Sequence, residues 1–365
     1  MTATSLTLLI NSSPAPTSVL DAMQELTIES SVDAASTFRL RLGLAPGTGG
    51  DWPLLDPSLF APGAKVQCGI AVGSPAPTFI HVGYVASQSV SYGDGQSVPS
   101  VEIGGLDVTA LMNLEDKMVA WANMPDSTIA TQILASYSLV PTVTMTAPVL
   151  SDPEGTTIQR GSDIRFLRHL AYRNGFAVYT LPNPQTGLEV GYFQAVNVSE
   201  SPLTTLVVHA GDSTSVSGLR ITNDMLRPTT VIADELDKSH SSQSAQVQTS
   251  SNTVGQTSTV SLLPRTATTR LTGTGLRSST NLQRAAQAVV DRASYALVAR
   301  GQVPSSLGPM TPGTVIGIAG AGAAHSGPWV VRAVKHVITP GSYLQHFTAT
   351  RNGIGNPGLS LPVGV

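Results

Sequence analysis

The chain of 365 residues has a formal net charge of −3, with 12% charged and 5% aromatic residues. This weakly acidic balance excludes the basic excess that nucleic-acid-binding surfaces usually carry, so no nucleic-acid partner is expected. The 34 glycines, the 25 prolines and the few charged residues favour many short strands and turns, and they argue against an all-helical protein.

The cysteine content and the amino-terminal sequence limit where the protein folds. A lone cysteine, Cys68, excludes an internal disulfide and a zinc site built from several thiolates, which is typical of folding in a reducing cytoplasm. The amino terminus has no basic residue before its short apolar stretch, so we expect no secretion signal. The most apolar window, residues 315–324, is too short and too rich in glycine to span a bilayer, so we expect no membrane insertion.

Residues 1–105 predict a meander of strands that forms a first small β-barrel domain. Along residues 37–42 apolar side chains alternate with Arg39 and Arg41, which predicts a strand with one buried face. The Tyr-Gly-Asp-Gly turn at residues 92–95 predicts a hairpin, because Asp-Gly tolerates positive φ. Further strands are predicted over residues 20–30, 64–72, 78–90 and 100–103.

Residues 106–202 predict a central α+β module with three helices. The helix caps are predicted at Asp107, at Asp126-Ser127, and at Ser162 or Asp163. We interpret Asp163 as a helix cap rather than as a catalytic acid. The third helix is predicted to end at Asn174-Gly175 in the left-handed conformation that Gly allows, and a strand over residues 176–181 follows. The predicted apolar helix faces contain Leu111, Met112 and Leu114, then Ile129, Ile133, Leu134 and Tyr137, then Ile164, Phe166, Leu167, Leu170 and Ala171.

Residues 203–352 predict a second small β-barrel domain. Residues 239–260 within it contain almost no core-forming side chains and predict an extended loop or a disordered insertion. The tail over residues 353–365 is rich in Gly and Pro and is predicted to be flexible. Strands are predicted over residues 203–209, 215–221, 229–232, 314–318, 329–339 and 343–350.

One long helix is predicted in this second domain, over residues 281–300. Ser279 or Thr280 is its predicted cap, and Gly301 lies just past its predicted end. Small apolar residues recur at helical spacing along it, including Ala296 and Leu297, so the helix is expected to present one smooth face.

No residue pattern in the chain demands catalysis. Gly211-Asp212-Ser213, which follows His209, matches the start of a lipase nucleophile block, but so short a match arises by chance and we interpret it as a strand-ending turn. His325, His336 and His346 are eleven and ten residues apart, which matches no metal-ligand motif. We therefore expect strand histidines that face solvent or a subunit contact.

Three other features have a structural interpretation. The glycine-rich residues 317–322 predict a loop, because Ser326-Gly327-Pro328 blocks the helix that a dinucleotide-binding fingerprint needs. The Asp-Glu-Leu-Asp sequence at residues 234–237 predicts a solvated turn rather than a calcium site. Trp121 and Trp329 are interpreted as core residues. We therefore predict no catalytic, cofactor-binding or metal-binding residue, no cofactor and no enzymatic activity.

The order of motifs along the chain carries more information than any single motif. Residues 103–111 (IGGLDVTAL) lead to residues 121–130 (WANMPDSTIA), and then to residues 159–171 (QRGSDIRFLRHLA). The closing segments are residues 312–317, 327–336 and 343–351. This succession resembles the baseplate hub family, which contains phage late control protein D, tail hub proteins and the amino-terminal part of VgrG proteins. The resemblance covers roughly residues 20–352.

The resemblance implies a fold and an assembly. Such proteins have two small barrel domains with an α+β module between them, and three chains form a homotrimeric, pseudo-hexameric ring around a channel. A hexameric inner tube or a tube-initiator protein stacks on one face, and a trimeric spike binds the other. Other baseplate components are further implied partners. The implied function is a non-enzymatic baseplate hub of a phage tail or of a phage-tail-like contractile injection system.

The same resemblance implies a location and a role for the tail. The protein is expected to assemble in the bacterial cytoplasm and to become part of a virion or of a phage-tail-like particle. Few residues follow the last family-like segment, so we expect the spike to be a separate polypeptide and residues 353–365 to reach it. Two alternatives stay open: a surface adhesin or carbohydrate-binding β protein, suggested by the Ser and Thr content, and a serine hydrolase using Ser213 and His209.

Overall fold

The computed structural model describes residues 4–73, 76–93, 98–146, 156–196, 201–208, 211, 214–236, 242–262, 264–272 and 279–355. Most of the regular structure in these ranges is β-strand, as the composition predicts, and the strands are mainly antiparallel. None of the helices in these ranges combines the length and the apolar character needed to cross a lipid bilayer.

The first third of the chain is a strand meander. Its elements are β1 (Thr4–Ile10), β2 (Ser13–Pro14), α1 (Thr17–Ala22), β3 (Met23–Ser31), β4 (Thr37–Gly43), β5 (Lys65–Val72), β6 (Thr78–Ser91) and β7 (Ser100–Leu106). Strand β4 buries its three apolar side chains and exposes Arg39 and Arg41, as its alternation predicts. The strand expected to start at residue 20 starts instead at Met23, because α1 occupies the preceding residues and buries Val19. Asp94 and Gly95 of the expected hairpin turn lie outside the described residues.

The central part contains the three predicted helices. Its elements after a 3-10 helix (Val108–Asn113) are β8 (Asp116–Trp121), α2 (Asp126–Ser136), β9 (Val140–Val143), β10 (Thr157–Ser162), α3 (Asp163–Asn174), β11 (Phe176–Pro182) and β12 (Glu189–Ala195). The Asp107 carboxylate caps the 3-10 helix by accepting from the Thr109 amide at 3.0 Å. Gly175 ends α3 with φ 73°, the left-handed conformation expected from its sequence. Leu114 departs from the prediction, since it is exposed rather than part of an apolar face.

The last part returns to strands. Its elements are β13 (Thr205–Val207), β14 (Ser217–Asn223), β15 (Thr229–Leu236), β16 (Ser242–Val247), β17 (Thr257–Ser258), β18 (Ala267–Leu271), α4 (Ser279–Ser294), β19 (Leu297–Pro304), β20 (Val315–Ala319), α5 (Gly322–His325), β21 (Gly327–Thr339), β22 (Ser342–Arg351) and β23 (Gly353–Ile354). Trp329 is completely buried in this part, as expected, whereas Trp121 of β8 is half-buried.

One sheet joins the two ends of the chain. Its hydrogen-bonded order is β14-β19-β22-β21-β3-β4-β7-β6-β5-β1-β2, with β20 beside β21 and β13 beside β20. Strand β21 makes this possible through its length of 13 residues. One edge of β21 carries β22, and the other carries β20 on its first residues and β3 on its last. Among the described strands the order does not return to its start, so the sheet is open where the sequence predicts two closed barrels.

Residues 239–260 are more ordered than their composition predicts. Strand β16 lies within them and pairs with β15, and Ala245 and Val247 are buried against α4 together with Leu282, Ala286 and Val290. The few apolar residues of this segment alternate along β16, so a narrow apolar stripe is sufficient to fix it. The prediction of a loop or disordered insertion is therefore wrong for residues 242–247.

The helix expected over residues 281–300 ends at Ser294. Leu297 begins β19, which lies inside the sheet between β14 and β22. The apolar residues that follow Ser294 fit the spacing of a helix as well as that of a strand. Pairing on both edges of β19 and burial of Leu297, Ala299 and Val303 favour the strand. Gly301 is part of this strand rather than a helix end, and it faces the Phe347 ring.

Two shorter expectations also change. Residues 234–236 are not a turn but the end of β15, where Asp234 forms an exposed ion pair with Arg270 at 2.7 Å. The fourth residue of that motif, Asp237, lies outside the described residues. The glycine-rich residues 317–322 end β20 and begin the short helix α5, instead of forming one loop.

Candidate assembly surface

Two sequence patterns could suggest chemistry, the Gly-Asp-Ser motif that follows His209 and the three spaced histidines. His209, Asp212 and Ser213 lie outside the described residues. Of the three spaced histidines, His346 is exposed on strand β22, as expected. The expectation is wrong for His336, which is buried with Nδ1 2.9 Å from the Tyr343 hydroxyl, and for His325, which lies in the helix α5 rather than in a strand. Across the described ranges, no three or more His, Cys, Asp or Glu side chains are grouped to hold a metal ion.

Asp163 is part of a buried network rather than a helix cap. Its carboxylate accepts hydrogen bonds from Lys117 Nζ at 2.6 Å, Gln159 Nε2 at 2.6 Å and the Tyr137 hydroxyl at 2.8 Å. Burial alone would raise the pKa of this carboxyl, but the three hydrogen bonds together hold the pKa below its ordinary value. Ser162, the other expected cap, donates its hydroxyl to the Asn113 side chain at 2.8 Å. These contacts hold β8 and β10 against α2 and α3.

A cleft of about 480 Å³ lies where α3 meets α4 and the last strands of the sheet. We call it the arginine cleft. It is lined by five arginines, Arg168, Arg227, Arg292, Arg300 and Arg332, and by two aspartates, Asp33 and Asp291. The arginines come from α3, the segment after β14, α4, β19 and β21, so only the folded chain brings them together.

Two of the arginines have fixed positions. The Arg292 guanidinium stacks over the Tyr172 ring with its Cζ 3.5 Å from the ring centroid, and it donates to the Tyr172 carbonyl at 2.5 Å. Burial lowers the pKa of Arg292 from its ordinary value. Arg332 forms an ion pair with Asp33. Asp291 accepts two hydrogen bonds of 2.7 Å from the amide and hydroxyl of Ser251.

The other three arginines leave the cleft positively charged. Arg168, Arg227 and Arg300 are exposed, and within the described part of the chain none of them forms an ion pair with a carboxylate. Exposed guanidinium groups on one concave surface attract anions and present paired donors that match a carboxylate. Sequence analysis missed this cleft because its arginines belong to five separate segments with no common motif.

The ribbon formed by β8 and β10 exposes apolar side chains. These two strands pair only with each other among the described strands. Met118 and Ile158 lie on the same outward face, with 79% and 48% exposure. Leu114, just before β8, is also exposed. Clustered exposed apolar side chains next to free strand edges are typical of protein interaction surfaces.

A second free edge lies at the end of the large sheet. Strand β14 pairs with β19 on one side, and no described strand pairs with its other side. Met225 and Leu226, which follow β14, are exposed at 62% and 83%. An edge strand followed by exposed apolar residues can accept a strand from another chain. Both free edges of the described strands therefore have features that are typical of protein docking surfaces.

Solved structures with the same fold include two tail proteins. The chain is similar to the tail protein from Neisseria meningitidis MC58, with a TM-score of 0.68 and 12% identity over 97% of this chain and 100% of that one. It is similar to the 43 kDa tail protein of prophage MuSo2 from Shewanella oneidensis, with a TM-score of 0.65 and 13% identity over 96% of this chain and 98% of that one.

A third similar structure comes from a secretion system. The c3393 protein of E. coli, a component of the type VI secretion system, matches with a TM-score of 0.55 and 12% identity over 91% of this chain and 74% of that one. These likenesses confirm the resemblance to the baseplate and tail hub family at the level of the fold. No curated protein matches the chain significantly. A family model described as the Alg8 N-terminal domain matches residues 2–340, and the chain therefore belongs to the Alg8 N-terminal domain family.

Proposed function

We propose that this chain is a structural, non-enzymatic component of a phage tail or of a phage-tail-like contractile injection system. The observation that carries the proposal is the extent of the fold match, which includes all of one tail protein and 98% of a prophage tail protein. The free strand edges and exposed apolar side chains support an assembled state, because such surfaces are usually covered in the working protein.

Within such a tail, the chain acts as the baseplate hub. Three copies form a ring in which residues 1–105 and 203–352 supply the walls and residues 106–202 the module between them. The inner tube or its initiator stacks on one face, a trimeric spike binds the other, and further baseplate proteins bind around it. Ring closure would cover the open edge of the large sheet and the outward face of the β8–β10 ribbon.

The native mass of the purified chain at micromolar concentration tests the hub role, measured alone and after co-expression with the product of a candidate spike gene. We expect a threefold mass or a complex of three hubs with three spikes. A monomer that binds no candidate spike would contradict the proposal.

A pair of matched variants makes the same measurement specific. Met118→Asp places a charge on the outward face of the ribbon, whereas Val98→Asp does so at an exposed valine elsewhere. We expect Met118→Asp to shift the mass toward the monomer and Val98→Asp to leave it unchanged. Equal masses for both variants would exclude the ribbon from the interface.

The end of the chain is proposed to contact the spike. The expectation of a flexible tail is wrong for its first residues, because Gly353–Ile354 forms β23, which pairs with β17. Residues 356–365 lie outside the described residues. Removal of residues 356–365 retains β23 and is expected to weaken spike binding in the co-expression experiment. Unchanged spike binding would remove this contact from the proposal.

A further inference from the structure

We propose that the arginine cleft binds an acidic peptide segment of a partner protein. The inference concerns a surface of the single chain and does not depend on ring formation. It goes beyond the proposed hub role because it names the chemistry of one bound segment and the residues that hold it.

The charge distribution is the first argument. The chain has 20 basic and 23 acidic residues, yet five of the basic residues line this one cleft beside only two acids. Like charges held on one concave surface repel each other unless a counter-charge is supplied. Arg168, Arg227 and Arg300 have no carboxylate partner among the described residues, so their positive charge is available to a bound anionic group.

The shape and the remaining lining are the second argument. A volume of about 480 Å³ lies within the range of roughly 300–1,000 Å³ that is usual for ligand sites. Tyr172, Phe176 and Tyr295 also line the cleft, so carbon surface lies next to the guanidinium groups. A short peptide with carboxylate and apolar side chains fits such a mixed lining better than a bare inorganic anion.

The arginine geometry is the third argument. The Arg292 guanidinium is held in place by the Tyr172 ring and carbonyl before any ligand arrives. One terminal nitrogen of Arg292 is used by that carbonyl and the other is buried, so Arg292 supplies a fixed positive charge to the wall of the cleft. The exposed Arg168, Arg227 and Arg300 are the guanidinium groups that can bind carboxylates through two parallel hydrogen bonds. The rigid elements α3, α4 and β19 hold the lining and so preserve this arrangement.

A nucleic acid fits the cleft less well than a peptide. A phosphate backbone continues past any short cleft and needs basic surface along its path, which a chain with an acidic excess does not provide. A short acidic segment can end within the cleft.

The test is a binding titration of the full chain with a fluorescein-labelled hexa-aspartate peptide at low ionic strength, followed by fluorescence anisotropy. We expect saturable binding at one peptide per chain and no binding of a hexa-asparagine peptide. The double variant Arg168→Gln/Arg300→Gln is expected to weaken binding about tenfold or more. Both residues are exposed, so their replacement should leave the fold intact.

The matched control is Arg41→Gln/Arg165→Gln, which removes the same charge from exposed positions outside the cleft lining. We expect its affinity to stay within about twofold of the original chain. Arg227→Gln serves as an independent cleft variant if the first pair alters folding. Equal weakening by the cleft and control pairs, absence of peptide binding, or tighter Arg168-dependent binding of oligothymidylate would overturn the proposal. The native mass does not enter this readout, so failure here and failure of the hub role are distinguishable.

Discussion

Arg351 is a buried cation that is held by carbonyl groups. Its side chain is inaccessible to solvent, and its guanidinium donates to the carbonyls of Val254 and Ser326 at 2.9 Å each and to that of Gly355. Within the described residues it has no carboxylate partner, and burial lowers its pKa to about 10, so it stays charged at neutral pH. This one side chain fixes the segment before β17 against the end of the last long strand.

Replacement of Arg351 is expected to destabilise the protein strongly. Arg351→Met retains much of the side-chain volume but leaves several buried carbonyls without donors, which costs about 3 kcal/mol in the free energy of unfolding. Urea denaturation measures the change, with Arg39→Met at an exposed position of β4 as the control. A loss for Arg351→Met no larger than that of the control would contradict this role.

Two buried histidines make stability depend on pH. Burial lowers the pKa of His81 to about 3, and burial together with the proximity of His81 lowers that of His336 to about 3. The folded state therefore keeps both rings neutral below pH 6.5, where the unfolded state gains protons. Stability is complete above pH 6.5 and falls as the pH decreases toward 3.

At pH 5 the expected loss is about 2 kcal/mol for each histidine, from 1.4 kcal/mol for each pH unit below the unfolded pKa. Urea midpoints measured from pH 7.5 to pH 5 should fall accordingly. His81→Gln or His336→Gln should reduce the slope of stability against pH, whatever its effect at neutral pH. His346→Gln, at an exposed position, should leave the slope unchanged, and an equal effect of all three variants would contradict the assignment.

At the scale of elements, the unit formed by β15, β16, β18 and α4 depends on few apolar contacts. Val247 is 4% exposed and packs with Ala245 against α4. Such a narrow apolar stripe makes each buried side chain important. The polar residues around it contribute strand pairing but little burial.

Shortening a buried side chain of this stripe should destabilise the protein, although most residues of the segment are polar. Val247→Ala is expected to reduce the free energy of unfolding by about 2 kcal/mol. Gln246→Ala replaces the exposed neighbour on the same strand. This control should alter the free energy of unfolding by no more than about 0.5 kcal/mol. Thermal unfolding of the two variants compares them directly, and similar melting temperatures would mean that the segment does not contribute to the core.

Elements with a complete local pattern could be predicted from sequence. Strand β4 has strict alternation, and α3 has an apolar face and a terminal glycine, so both lie where the sequence places them. Residues 242–247 and 297–300 could not be predicted, because their state depends on burial against partners far away in the chain. The arginine cleft was unpredictable for the same reason, since each arginine alone resembles an ordinary surface residue.

At the scale of the whole molecule, β21 is the element that unites the two ends of the chain. It pairs with β22 from Val330 to Thr339 and with β3 from Ala333 to Ile338. Most of the predicted strands lie at the expected positions along the chain. No pattern in the sequence indicates which distant strands pair with each other. Residues 1–105 and 203–352, predicted as separate barrels, share this sheet.

Hydrogen exchange should follow this hierarchy of pairing. Amides of β21, paired on both edges, are expected to exchange slowest, and those of β14, paired on one edge, much faster. In an assembled particle, the β14 amides should become protected if another chain covers that edge. Mass spectrometry of exchanged peptides measures both states, and fast exchange in β21 would contradict its central position.

The pairing of β3 with β21 also sets a delay during synthesis. Roughly 300 residues separate the two strands, which takes about 15–60 s at the usual 5–20 residues per second. Throughout that interval β3 has already left the ribosome, and the edge that later pairs with β21 is uncovered. Glu29 lies on this strand and later pairs with Lys335 of β21 at 2.9 Å. Its charge discourages neighbouring nascent chains from adding to the edge, and the same carboxylate then receives the correct partner strand.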